Sequence, residues 1–218
     1  MTNSILLVSY FCKLSGKCCV NNLVPLSPFD IFRIAKNLNL KAEELFIKKI
    51  FAYKISGSTY FMEPVIQMRS NQVCPFLEKK EELYKCTIYK QRPFACRIFP
   101  LKYDPDNDIY LRNERSEARC PECTNSQEKI SINDYLLQNE ANELSSEYSQ
   151  YRNLVEKLSL KGYNVKELSG KKLKQKLFFK IQKLLFETFP SSNGEEIYPW
   201  AEVEESIQTW VQNYESEN

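Results

Sequence analysis

The chain has 218 residues, 43% hydrophobic and 27% charged, with a formal net charge of +2. That supplies apolar material for a buried core and gives no reason to expect nucleic acid or another polyanion as partner. Two counts decide more: the absence of histidine excludes Ser-His-Asp and Cys-His catalytic pairs, and 8 cysteines require disulfides or metal as their first explanation.

In chain order, residues 1–11 carry a short apolar run with no positively charged start and no small-residue cleavage site before Cys12. A bilayer span needs about 20 apolar residues, so this run reads as a strand or extended lead-in. No later stretch is long and apolar enough to cross a bilayer, so no membrane span is expected. The expected location is cytoplasmic, where stable disulfides are rare, and metal becomes the better explanation of the cysteines.

Ser27-Pro28-Phe29-Asp30 starts a helix: Ser27 caps, Pro28 suits the first turn and Asp30 favours the positive end. Ile31, Ile34, Ala35 and Leu38 follow at helical spacing, and a second helix is predicted over residues 41–53 through Ala42, Phe46, Ile50 and Tyr53. Residues 54–73 read as two short strands around Pro64. A hairpin is predicted over residues 101–112, turning at Asp104-Pro105-Asp106-Asn107-Asp108.

Ser131 and Asp134 resemble a capping box, and behind them Leu137, Ala141, Leu144, Tyr148, Tyr151, Val155 and Leu158 predict one long helix ending near Gly162. Another helix is predicted over residues 171–189, with Leu173, Leu177, Ile181 and Leu184 inward and Lys172, Lys176, Lys180 and Lys183 outward. That basic face reads as solvated, partly balanced by Glu195, Glu196, Glu202, Glu204 and Glu205. Pro190 and Gly194 punctuate its exit, and an acidic helix is predicted over residues 202–214. The expected fold class is mostly α with small β hairpins (α+β). A cysteine-cluster metal-binding domain, residues 1–130, precedes a helical C-terminal lobe, residues 131–218.

The cysteines are spaced Cys12-x5-Cys18-Cys19, then Cys74-x11-Cys86-x9-Cys96, then Cys120-x2-Cys123. Thiolates are soft, charged donors suited to zinc and iron–sulfur centres. Neighbouring side chains diverge, so Cys18 and Cys19 fit one metal poorly. They fit better if one ligates and the other packs, or if two metal sites lie close together. Burial of several cysteines as small apolar residues, or a disulfide framework, are the alternatives. Arg92 and Arg97 flank Cys96, where they can offset thiolate charge, hydrogen-bond cluster sulfur or an anionic substrate, or instead pair with acidic groups in a packed turn.

Cys74-Pro-Phe-Leu77 and the run from Cys86 through Arg92-Pro-Phe-Ala-Cys96-Arg97 to Pro100 resemble the YkgJ-type cysteine-cluster family, the zinc- or iron-chelating CxxCxxCC domain. The likeness covers roughly residues 8–140. One departure stands out: the family's leading Cys-x-x-Cys-Gly-x-Cys-Cys reads Cys12-Lys-Leu-Ser15-Gly16-Lys17-Cys18-Cys19, with Ser15 in place of its second cysteine. Serine ligates soft metals poorly, so that position is lost, filled by water or supplied by Cys123.

The candidate metal ligands are therefore Cys12, Cys18, Cys19, Cys74, Cys86, Cys96, Cys120 and Cys123, and the candidate cofactor-binding residues are Arg92 and Arg97. The resemblance implies an iron–sulfur cluster ([4Fe-4S]) or Zn2+. A flagellin lysine N-methylase shares the motif, which implies a protein substrate and S-adenosylmethionine for some members. Neither the Cys-x3-Cys-x2-Cys of radical enzymes nor a glycine-rich nucleotide loop is present to support a methyl-donor site. The readings are therefore a redox or catalytic iron–sulfur protein, a protein-modifying enzyme, or a non-catalytic zinc interaction module. Oligomeric state is left open.

Overall fold

The computed structural model describes residues 7–10, 12–57, 59–104, 107–124, 129–191 and 197–217. The strands are β1 (Leu7–Val8), β2 (Phe51–Ile55), β3 (Met62–Ile66), β4 (Leu77–Lys80), β5 (Leu83–Cys86), β6 (Leu101–Asp104), β7 (Ile109–Arg112) and β8 (Ile130–Ser131). The helices of the first half are α1 (Pro28–Leu38), α2 (Ala42–Ile47), α3 (Phe94–Arg97), α4 (Glu114–Arg119) and α5 (Pro121–Thr124). Those that follow are α6 (Ile132–Gln138), α7 (Asn142–Leu160), α8 (Lys172–Lys183) and α9 (Trp200–Glu217). The fold class is α+β, and its strands form two-stranded sheets, β1 with β8, β2 with β3, β4 with β5 and β6 with β7.

Packing groups the chain into two compact units, Met1–Val24 with Ile66–Ser149, and Pro25–Val65 with Gln150–Asn218. Both are discontinuous in sequence, unlike the single boundary after residue 130 that the sequence suggested. The second unit carries no cysteine.

In the first unit, β1 and β8 pair antiparallel, with Val8 opposite Ile130. Its core gathers Val8, Phe94, Ile98, Leu101, Tyr135, Leu136, Ala141 and Leu144. The β6–β7 hairpin forms where predicted, pairing Leu101 with Arg112 and Asp104 with Ile109; Pro105 and Asp106 of its turn lie outside the described residues. The β4–β5 hairpin was not foreseen from its sequence, Leu-Glu-Lys-Lys-Glu-Glu-Leu-Tyr-Lys-Cys. It stands on a left-handed Glu81 (φ 57°) in the turn and on the cross-strand pair Glu78–Lys85.

The long helix predicted after Ser131 is broken. Ser131 does cap α6, its Oγ accepting from the Asp134 N–H at 3.1 Å. The chain then turns through a left-handed Glu140 (φ 51°) before α7 begins. Tyr135 and Leu136 face inward, and Leu137, expected inside, is 69% exposed.

In the second unit, α1 is capped as the sequence indicates: Ser27 Oγ accepts from Asp30 N–H at 3.1 Å, and Ser27 N–H donates to Asp30 Oδ2 at 2.9 Å. The predicted second helix stops at Ile47. Lys49 (φ 56°) reverses the chain, and Phe51–Ile55 becomes strand β2 instead of a helix end. In α8 the buried face is Phe178, Ile181 and Gln182, continued by Leu185 and Phe186, while Leu173 is 59% exposed. The helix continues as a π-helical turn over Leu184–Thr188, whose wider turn holds an extra residue and shifts the inward register. Phe178 seats edge-on against Phe61, with ring centroids 5.4 Å apart. Of its lysines, Lys180 lies 3.5 Å over the Trp210 ring. The acidic helix is longer than predicted, Trp200–Glu217. Gly194, Glu195 and Glu196 lie outside the described residues. Among the described residues, no helix is long and apolar enough to cross a membrane.

Candidate metal centre

None of the eight cysteines is in a disulfide, and all belong to the first unit. They are brought together by backbone. Gly16, at φ 70°, turns the chain into a short 3-10 helix, Lys17–Cys19, closed by Cys19 N–H on Gly16 O at 2.9 Å. A Cβ on Gly16 would stand 2.9 Å from Tyr84 Cβ, so glycine is needed both for the turn and for the approach of β5. Cys74 N–H then donates to Cys19 O at 2.8 Å, tying the second cysteine segment to the first. Leu77 N–H bonds Cys74 O at 3.1 Å, and Leu77 pairs across the hairpin with Cys86. Cys96 sits in α3, its N–H on Pro93 O at 2.9 Å. Arg119 of α4 reaches Asn22 Oδ1 at 2.7 Å, and Asn22 Nδ2 reaches Cys18 O at 3.2 Å.

Cys18 Sγ and Cys19 Sγ are 3.8 Å apart. Cys120 and Cys123, at 2% and 1% exposure, pack with Phe99, and Cys18 and Tyr10 close against them. Ser15 Oγ lies 3.4 Å from Cys120 Sγ, and Lys13 N–H donates to Cys123 Sγ at 3.4 Å. The serine that replaces a family cysteine therefore faces the Cys120–Cys123 pair. Cys12 is exposed, whereas Cys18, Cys19, Cys86 and Cys96 are half-buried and Cys74 is buried. Among the described residues, no three Cys, Asp or Glu side chains surround a single ion position as they stand. The donor chemistry nevertheless fits a soft metal: converging, unbridged thiols with N–H donors at their sulfurs.

Electrostatics follow from burial and sharing. The hydrogen bond with Cys19 holds Cys18 down to about 7, against the cost of burial and with help from Arg92. The same bond, with burial and the neighbouring thiolates, pushes Cys19 up. Burial raises Cys74 to about 11, with Cys86 and Cys18 adding like charge. Burial also raises Cys86, and Arg92 works against it.

The two arginines separate in role. Arg97 spends its donors on the turn: Nε on Arg92 O at 3.2 Å, Nη2 on Lys90 O, and Nη1 on Asn139 O at 3.0 Å and Glu140 Oε2 at 2.8 Å. That is the packed-turn reading, and it explains why the helix breaks at Asn139. Arg92 lies 4.0 Å over the Tyr89 ring and gives Nη2 to Asn139 Oδ1 at 2.6 Å. Its buried Nε has no hydrogen-bond partner, and its charge reaches Cys18 and Cys86. An orphaned buried N–H beside thiols suits an anionic sulfur centre.

Sequence reasoning missed Tyr10 and Asn139. Tyr10 sits edge-on to Phe99 at 5.7 Å and to Tyr135 at 6.1 Å. Nothing in its spacing marks it, since it lies in an irregular segment. Asn139 ends α6 at an ordinary φ of −96° and the left-handed position falls on Glu140, so no asparagine or glycine signal marks the stop and the unbroken apolar periodicity around it hid it.

A family profile described as CxxCxxCC, "Putative zinc- or iron-chelating domain", matches residues 11–134. The chain belongs to this family. No curated protein and no solved structure matches the chain. Membership in the CxxCxxCC family gives zinc or iron chelation as the function class, and the matched span, which takes in residues of both units, holds every cysteine.

Proposed function

We propose that the chain is a metal-dependent protein whose cysteine thiolates hold an iron–sulfur cluster in a redox or protein-modifying role. The observation that carries this reading is the gathering of all eight cysteines, none of them in a disulfide, on one unit, with the buried Arg92 Nε–H unpartnered and the Arg92 charge acting on Cys18 and Cys86. The candidate ligands are Cys12, Cys18, Cys19, Cys74, Cys86, Cys96, Cys120 and Cys123. A bound cluster would supply electron transfer or Lewis acidity. Arg92 would offset the thiolate charge and orient sulfur, and Phe99 with Tyr10 would exclude water from the Cys120–Cys123 side. In the protein-modifying form, the flagellin lysine N-methylase resemblance suggests a lysine-bearing protein as substrate and S-adenosylmethionine as methyl donor. Cysteines outside disulfides favour a reducing compartment, which supports a cytoplasmic location.

One feature supports a second reading, a structural zinc module. The first unit's sheets are two-stranded and 2 to 4 residues long, and such hairpins are marginal without a cross-link. Anaerobic purification with iron, zinc and sulfide assays per chain decides between them. Matching iron and sulfide with broad visible absorption upholds the cluster, stoichiometric zinc in a colourless protein upholds the module, and absence of metal refutes both.

A further inference from the structure

Helix α8 carries a face that the core of the second unit does not use. Its sequence, Lys-Leu-Lys-Gln-Lys-Leu-Phe-Phe-Lys-Ile-Gln-Lys, holds 5 lysines and no acid, so a net charge of +2 for the chain conceals a concentrated basic element. Phe178, Ile181 and Gln182 form its buried side. At about 3.6 residues per turn, Phe179, Lys172, Lys183, Lys176, Lys180 and Leu173 follow one another around roughly a third of the circumference on the other side. All of these are exposed.

Among the described residues, Lys172, Lys176 and Lys183 form no ion pair, whereas Lys161 is paired with Glu215 at 2.9 Å. The apolar members of the face matter as much. The sequence put Leu173 inward and left the outer face to lysine; in the structure Leu173 is out among the lysines, and so is Phe179, 56% exposed. Leu160, 82% exposed at the end of α7, adjoins the first turn of α8, where Lys174 Nζ donates to Lys161 O at 2.7 Å. An acidic peptide or a nucleic acid strand would engage the lysines and give no use to the leucine and phenylalanine. An anionic bilayer surface uses both: ammonium groups reach the headgroups, lysine stems lie along the acyl boundary, and apolar side chains enter it.

We propose that the outer face of α8 docks on an anionic lipid surface, with Lys172, Lys176 and Lys183 on the headgroups and Leu173 and Phe179 inserted between them. The attachment is peripheral, for among the described residues no helix is long and apolar enough to cross a membrane. It is independent of what the cysteines hold.

The test is flotation of the full chain with phosphatidylcholine vesicles containing about 30% phosphatidylserine, against vesicles of phosphatidylcholine alone. Binding is expected on the anionic vesicles and is expected to fall with added salt. Lys172→Gln with Lys176→Gln should weaken it about 10–30-fold, and Leu173→Ser with Phe179→Ser about 10–100-fold. All four side chains are exposed, so the circular dichroism of both variants should match the parent's. Equal recovery on the two kinds of vesicle, or recovery on neither, overturns the proposal. So does a loss confined to the lysine variant, which would make the face a site for an acidic macromolecule.

Discussion

Gly16 and Arg97 govern the neighbourhood of the thiols without touching metal. At Gly16 a methyl group meets Tyr84 at 2.9 Å in a left-handed backbone conformation. Gly16→Ala is expected to destabilise the first unit by about 1–3 kcal/mol, read by urea unfolding of the metal-free chain. Arg97 satisfies the carbonyls of Lys90, Arg92 and Asn139 from a site 6% exposed. Arg97→Ala leaves these groups without a donor and is expected to cost about 2–4 kcal/mol, with Arg97→Lys recovering only part, since an ammonium cannot span the same fork. Arg92 is different, for its buried Nε–H has no hydrogen-bond partner and its charge acts on Cys18 and Cys86. Arg92→Gln is expected to keep the fold and weaken metal retention about 10–100-fold, measured by competition with a chelator. A retention equal to the parent's would return Arg92 to the packed turn.

Among the elements, the helices with local punctuation were legible and those shaped by tertiary partners were not. Ser27-Pro28 and Asp30 announced α1 because cap, first-turn proline and acid all lie within one turn. The break between α6 and α7 was hidden because its cause, Arg97, lies 42 residues away in sequence from the carbonyl it holds. The β4–β5 hairpin was illegible because its Glu and Lys residues have little strand preference, and the pairing depends on the turn and on Tyr84 N–H bonding Leu14 O at 2.9 Å. The cysteine and arginine run was legible as a motif, but the separate roles of Arg92 and Arg97 needed the fold of the backbone. In α8 the register distinguishes the two readings. Ile181→Ala, fully buried, is expected to cost about 2–5 kcal/mol, whereas Leu173→Ala should stay within about 0.5 kcal/mol. Comparable losses at both positions would restore the sequence-predicted face.

For the molecule as a whole, the cysteines are confined to one of two units, and metal should act on them unequally. Removing metal with a chelator is expected to raise hydrogen exchange across β4, β5 and α3 while leaving α8 and α9 protected, read by mass spectrometry. Equal loosening of both sets would mean that the units unfold as one. The confinement also has a temporal side. The first unit is interrupted by Pro25–Val65, and its cysteines end at Cys123. On a ribosome, Cys12, Cys18 and Cys19 emerge well before Cys74 and the cysteines after it, and the intervening Pro25–Val65 segment must close as a loop before the first unit can assemble. The nascent chain thus passes through an interval in which its leading thiols are uncovered.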